Sequence, residues 1–97
     1  MYITCKDETE AKKITKHLLS KKLIACANIF PIRSIYFWEG KMVDDKEFVL
    51  IAKSIEKNHK KIESEVIKIH NYDVPCILKL KVDANKDYLR WVEGEVK

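Results

Sequence analysis

Two extended segments within residues 24–53 form one unusually long predicted β-hairpin. Its arms cover residues 24–38, interrupted by Pro31, and residues 42–53, with a short turn containing Gly40 between them. A straight strand of the ascending length spans about 50 Å at ~3.3 Å per residue. A compact domain of this size is only about 32 Å across. The arm must therefore bend at Pro31, protrude, or pair with something outside its own fold, and this mismatch indicates an oligomer.

The composition limits the chain to one small domain, residues 1–97, with few possible classes of partner. Apolar residues make up 46% of the chain, which is enough for a core. Lys and Arg number 19 against 15 Asp and Glu, so the net charge of +4 is mild. The longest apolar runs are far too short to span a membrane. We therefore expect neither a nucleic-acid partner nor a membrane partner.

The cysteines predict a reducing compartment. Cys5, Cys26 and Cys76 are odd in number and show no C-x-x-C spacing. Charged residues begin at position 6 with no apolar run before them, so no secretory signal is expected. We expect a cytosolic protein with free thiols, in which Cys26 is an inert, buried strand residue.

Helix and strand patterns alternate along the remainder of the chain. Residues 2–5 resemble a short strand, and Asp7 is placed to cap a helix, with Glu10 at capping-box spacing. Ser54 is placed to cap a second helix with a regular apolar stripe. Residues 74–82 then alternate apolar and charged side chains, as a half-buried strand does.

A last short helix, which Asn85 is placed to cap, completes the order β-α-β-β-α-β plus a helix. Two right-handed crossovers flanking a hairpin predict an α+β fold, the ferredoxin-like plait, with strand order 4-1-3-2. The strand containing Pro31 then lies at the sheet edge, where proline is tolerated. Because a long apolar edge strand invites pairing, we expect it to contact a neighbouring subunit.

Several functions of this fold are excluded by missing motifs. Copper chaperones of this fold carry C-x-x-C in the first loop, whereas this chain continues from Cys5 with Lys, Asp and Glu. RNA-recognition motifs need aromatic residues on the central strands, and here the aromatics cluster at the hairpin tip. Acylphosphatases need an early glycine-rich loop, but no glycine precedes Gly40. No phosphate-binding loop, Ser-His-Asp set or H-E-x-x-H is present either, so we expect no enzymatic activity.

Four segments of the chain form a recognisable set: residues 23–29, 28–31 followed by 33–41, 70–75 and 87–91. In their order and near-correct spacing they together resemble the CutA family of divalent-cation tolerance proteins. The resemblance implies a trimer of ferredoxin-like plaits related in architecture to PII signalling proteins. The chain departs from the family pattern at Asn71, Asp73 and Cys76, and its 31–34 stretch is one residue shorter.

The resemblance also implies that the chain binds a divalent metal, with copper the first candidate. The expected ligands lie between the second helix and the last strand and on the neighbouring first strand: His70, Asp73, Cys76 and Cys5. Imidazole, carboxylate and thiolate suit a soft or borderline ion. The alternative is structural, with His70 closing the helix C-terminus and Tyr72 packing in the core.

Two further groups of residues are predicted around the hairpin. A ligand cleft between subunits would be lined by Arg33, Tyr36, Trp38, Glu39, Lys41, Lys53 and Tyr72. A trimer interface would include Ile35, Phe37, Trp38 and Trp91. Salt bridging is the alternative role for Arg33 and Lys53, and intersubunit packing is the alternative for the aromatic residues.

Three functional hypotheses follow. The first is a cytosolic, non-enzymatic homotrimer that binds copper or another divalent metal and acts in metal tolerance. The second is a PII-like signalling module that holds a small anionic ligand or a partner protein at the intersubunit cleft. The third is a purely structural assembly.

Overall fold

A computed structural model describes all 97 residues. The elements in chain order are β1 (Tyr2–Cys5), α1 (Glu8–Ser20), β2 (Cys26–Trp38), β3 (Lys41–Lys53), α2 (His59–Ile69), β4 (Ile77–Leu78) and α3 (Lys86–Glu95), with a 3-10 turn (Glu56–Asn58) before α2. The four strands form one antiparallel sheet in the order β2-β3-β1-β4. This confirms the predicted α+β class and strand order. None of the helices has the length and apolarity needed to cross a membrane.

The core lies between the sheet and the first two helices. Its fully buried side chains come from β1, α1, β3 and α2, namely Ile3, Cys5, Ala11, Ile14, Leu18, Leu50, Ile62 and Val66. The α1 members recur three or four positions apart, so they share one helical face. In a domain this small, burial of these few aliphatic side chains supplies most of the stabilisation.

The hairpin protrudes from this core. Its register is continuous from Cys26 paired with Lys53 to Trp38 paired with Lys41, and Pro31 does not interrupt it. Only residues 48–51 of β3, near the hairpin base, pair with β1, so the distal part of the hairpin is a two-stranded ribbon. The molecule is consequently 45 Å long but only 26 and 21 Å in its other dimensions. The hairpin of a single chain therefore protrudes, rather than bending sharply at Pro31.

The hairpin turn has the expected geometry. Gly40 has a φ of 79°, and Glu39 before it has a φ of 51°. Two successive residues in the left-handed region are the signature of the tight turn that matches strand twist. A glycine at the second of these positions removes the steric cost that a side chain would add there.

The last strand is much shorter than residues 74–82, and that prediction is wrong for the single chain. Only Ile77 and Leu78 pair, with Ile3 and Tyr2. β1 begins at Tyr2, so it offers no further backbone partner to residues 79–85. Leu80 and Val82 are consequently 55% and 83% exposed, although their alternation with charged residues is typical of a strand.

Helix capping is partly as predicted. Asp7 caps α1, accepting a hydrogen bond from the Glu10 backbone N–H at 2.8 Å. Ser54 does not cap α2, because its hydroxyl donates to the Leu23 carbonyl at 2.5 Å and the 3-10 turn intervenes. Asn85 occupies the N-cap position of α3, but its side chain makes no capping bond.

Candidate metal centre

The imidazole of His70 is held at the end of α2 by two hydrogen bonds. His70 is the C-cap residue, and its side chain is fully buried. Nε2 lies 2.7 Å from the Thr4 carbonyl oxygen on β1, and Nδ1 lies 3.1 Å from the Tyr72 backbone nitrogen. A carbonyl can only accept and a backbone N–H can only donate. The ring is therefore the neutral tautomer with its proton on Nε2.

Glu10 occupies the space beside this ring. Its side chain is 2% exposed, and one carboxylate oxygen lies 4.0 Å from His70 Nε2. The other polar contacts are backbone donors: the Lys6 N–H at 3.0 Å and the Asn71 N–H at 3.1 Å. Glu10 thus joins the first turn of α1 to the segment after α2, and its charge is stabilised by hydrogen bonds rather than by water.

Cys5 completes the group. Ligand-capable atoms of Cys5, Glu10 and His70 all lie within 4.8 Å of one another. Burial raises the pKa of the Cys5 thiol to about 12, and the nearby charges of Glu10, Glu47 and Asp7 add to the effect. The thiol is therefore protonated at neutral pH.

The chemistry of this donor set fits a soft or borderline metal ion. Thiolate, imidazole and carboxylate together are ligands that zinc and copper accept. All three side chains, however, are occupied by protons or hydrogen bonds. An entering ion would displace the Cys5 proton and the Nε2 proton that His70 donates to the Thr4 carbonyl, so its binding competes with protons.

Two of the four predicted ligands lie outside this group. Asp73 is exposed. Cys76 is half-buried, and its carbonyl accepts the Thr4 N–H at 3.3 Å. This register places Cys76 opposite Thr4, and neighbouring strand residues project to opposite faces, so Cys76 and Cys5 face opposite sides of the sheet. Glu10 was missed as a ligand because its capping-box spacing explained it as a helix cap; its position close after Cys5 was the available signal.

Tyr72 connects the cluster to the hairpin. Its ring packs edge-on against His70 with 4.8 Å between centroids, and its hydroxyl donates to Glu47 at 2.5 Å. Burial raises the pKa of Tyr72 well above its usual range, and the Glu47 carboxylate adds to the shift. Glu47 is itself only 6% exposed. Tyr72 therefore belongs to this polar network.

The other predicted cleft residues do not converge within one chain. Arg33 pairs with Asp44 at 2.7 Å on the exposed ribbon. Lys41 lies at the hairpin tip and Lys53 at its base, about 40 Å apart at ~3.3 Å per residue along β3. Tyr36, Trp38 and Glu39 are exposed near the tip. A cleft that uses all of these residues would need neighbouring subunits.

The predicted interface residues are exposed apolar side chains in the single chain. Phe37 is 70% exposed and pairs across the ribbon with Met42, which is 69% exposed. Ile35 and Trp38 on the same strand and Trp91 on α3 are also exposed. Apolar exposure of this extent is typical of surfaces that are covered in an assembly.

Two surface depressions lie away from the metal-capable cluster. One, of about 510 Å³, is lined by four α2 residues and two residues just after α1: Lys60, Lys61, Ser64, Glu65, Lys21 and Leu23. The other, of about 480 Å³, lies beside the unpaired segment after β4 and includes Glu56 and Lys81. Neither contains a residue predicted for the metal site or the cleft.

Comparison with known proteins gives consistent matches over nearly the whole chain. A sequence profile described as CutA1 divalent ion tolerance protein matches residues 1–95. The divalent-cation tolerance protein CutA of Archaeoglobus fulgidus is 40% identical over 97 residues, which is 99% of this chain and 95% of that protein. The CutA of Pyrococcus horikoshii is 42% identical over 98 residues, covering 100% of this chain and 96% of that one.

Solved structures agree with these matches. The crystal structure of CutA1 from Pyrococcus horikoshii superposes with a TM-score of 0.95 at 41% identity, over 99% of this chain and 95% of that chain. The PII-like protein CutA from Nostoc sp. PCC 7120 in apo form gives 0.91 at 23% identity, over 99% and 94%. The second likeness concerns the fold alone.

Proposed function

Because the chain belongs to the CutA1 divalent ion tolerance family, we propose that it acts in metal-ion tolerance by binding a divalent ion at Cys5, Glu10 and His70. Copper is the first ion to test. The observation that carries the proposal is the convergence of a thiol, a carboxylate and an imidazole within 4.8 Å. No other group of three metal-capable side chains comes together in the chain.

The three side chains have separate roles in this proposal. Glu10 supplies a buried negative charge that favours a cation. Cys5 gives up its proton on binding, since a coordinated thiol is deprotonated. His70 supplies an imidazole whose Nε2 must give up the proton that it donates to the Thr4 carbonyl before it can coordinate. Because the ion competes with the thiol proton, the affinity for metal rises with pH.

Metal-binding measurements on His70→Ala test the proposal. Calorimetric titration of the chelator-treated protein with Cu²⁺ and Zn²⁺ should show that the substitution removes one high-affinity site per chain. His59→Ala is the matched control, because that half-buried histidine lies 3.7 Å from Glu63 and outside the cluster, so the variant should bind metal like wild type. Unchanged affinity and stoichiometry in His70→Ala would remove this cluster from the metal site.

We further propose that the working form is a non-enzymatic homotrimer. The exposed apolar ribbon and the unpaired strand-like segment after β4 support assembly, since both leave groups that a neighbouring copy could cover. The sequence contains no catalytic motif that would support an enzyme.

We also propose that the protein is cytosolic. The three cysteines are free, as a reducing compartment would keep them. The solved Archaeoglobus fulgidus relative, 40% identical, is described as a periplasmic protein. Fractionation of cells that produce the chain, probed with an antibody, would separate the two locations.

A further inference from the structure

Glu47 is a buried carboxylate without a cationic partner. It lies on β3 and is only 6% exposed. Its carboxylate accepts a hydrogen bond from the Tyr72 hydroxyl at 2.5 Å. The lysine and arginine ion pairs of the chain all use other acidic residues, namely Glu8, Asp44, Glu56 and Glu65. A charge removed from water without a countercharge is costly, so Glu47 indicates a cation that these side chains do not supply.

The metal-capable cluster lies next to this charge. The ring of Tyr72, whose hydroxyl donates to Glu47, packs edge-on against His70 with 4.8 Å between centroids. Glu47 is therefore one aromatic side chain away from a proposed metal ligand. Its charge also acts on Cys5: burial raises the pKa of that thiol most, Glu10 adds to the shift, and Glu47 adds further. The field of Glu47 thus extends over the position that an ion would occupy.

A fixed negative charge distinguishes ions by their charge. The Coulomb energy between Glu47 and a bound ion is proportional to the charge of the ion, so it favours a divalent ion over a monovalent one. Either ion would displace the same protons from its ligands, and that step cancels when the two ions are compared. What remains is the interaction of Glu47 with one additional positive charge. Because Glu47 is nearly inaccessible to solvent, salt and water screen this interaction little.

We propose that Glu47 is a specificity-determining residue, whose charge makes the cluster bind divalent ions in preference to monovalent ones. The inference rests on the proposed function, since it concerns the ion held by Cys5, Glu10 and His70. Glu47 is not one of the three side chains whose ligand atoms converge, so it acts through its electric field rather than by coordination. Tyr72 is the positioning residue, because its hydroxyl holds the Glu47 carboxylate beside the cluster.

Affinities for Zn²⁺ and Ag⁺ test this proposal. Each is measured by calorimetry in chloride-free buffer at one pH, on the full chain with Cys26→Ser and Cys76→Ser, which leaves Cys5 as the only thiol. Glu47→Gln removes the charge and keeps the shape of the side chain. We expect the ratio of Zn²⁺ affinity to Ag⁺ affinity to fall by about tenfold, the order of effect typical of residues that surround metal ligands. An unchanged ratio would overturn the proposal.

Two further variants separate the charge of Glu47 from its structural role. Glu47→Asp keeps the charge but is too short to keep the same contact with Tyr72. Both affinities should therefore change by a similar factor, and their ratio should stay near the wild-type value. Asp45→Asn is the matched control, because this aspartate lies two residues earlier on the same strand but is exposed, so that water screens its charge. A fall in the ratio as large in either variant as in Glu47→Gln would contradict the role of the Glu47 charge.

His70→Ala in the same background tests the proposed function separately. Loss of Zn²⁺ binding in His70→Ala, together with an unchanged affinity ratio in Glu47→Gln, would support the metal site and overturn only the role of Glu47. Zn²⁺ binding that His70→Ala leaves unchanged would overturn both.

Discussion

The imidazole of His70 has no exposed surface, and each of its nitrogens has a hydrogen-bond partner. The sequence predicted its place at the end of α2 and left open whether it closes the helix or binds metal. It could not predict Glu10 as its neighbour, because that contact joins residues far apart in the chain. Nor could it predict that the Lys53 ammonium contacts Asn28. A strand pattern predicts which face of the sheet a side chain lies on, but not where the end of a long side chain lies.

Substitution of Tyr72 by Phe removes the hydroxyl that donates to Glu47. The carboxylate of Glu47 is nearly buried, so its lost partner is not replaced freely by water. We expect the free energy of unfolding to fall by about 1–3 kcal/mol. Guanidinium unfolding at fixed chain concentration measures this. Tyr2→Phe is the control, since that hydroxyl makes no hydrogen bond, and an equal loss in both variants would contradict the role of Glu47.

At the scale of elements, the strand order was predictable because Pro31, the hairpin and the helical stripes all require the same plait. The length of β4 was not predictable from the chain alone. The alternation over residues 74–82 indicates a strand, but a strand also needs a backbone partner, and β1 provides one only for Ile77 and Leu78. Ser54 does not cap α2 because its hydroxyl donates to the Leu23 carbonyl. That contact joins residues far apart in the chain, so no local pattern predicts it.

Glu65 ties α1 to α2 and makes their packing sensitive to acid. Its carboxylate accepts hydrogen bonds from Lys68, His17 and Lys21, which lower its pKa from 4.5 to about 2. A carboxyl with a depressed folded pKa contributes stability above its unfolded pKa and loses it as the pH falls through the folded one. Resistance to denaturant should therefore weaken between pH 4.5 and 2, and less so in Glu65→Gln. Glu63→Gln on the same helix should keep the wild-type profile; identical profiles for all three would contradict this account.

At the scale of the whole molecule, one chain leaves its ribbon and one strand segment without partners. The excess length of the hairpin could be predicted from the sequence because the length of a strand follows from its number of residues. The way in which copies dock could not be predicted, because it depends on which side chains are exposed, such as Phe37 and Met42. The metal-capable cluster, in contrast, is complete within one chain.

The assembly prediction is therefore independent of the metal prediction. Light scattering should give three times the 11.4 kDa chain mass at micromolar concentration. Phe37→Asp should lower that mass, because a charge cannot be buried in an apolar interface without a partner. Lys46→Asp, at an exposed charged position of the same ribbon, is the comparison and should remain assembled. A wild-type monomer would remove the explanation offered for the hairpin.

The central claim is that metal binds where Cys5, Glu10 and His70 converge. Crystals grown with copper, measured at the copper absorption edge, test it most directly. We predict one anomalous peak per chain, between the Cys5 sulfur, the Glu10 carboxylate and the His70 ring. A peak only at a surface pair such as His59 and Glu63, or no ordered peak at all, would contradict the claim.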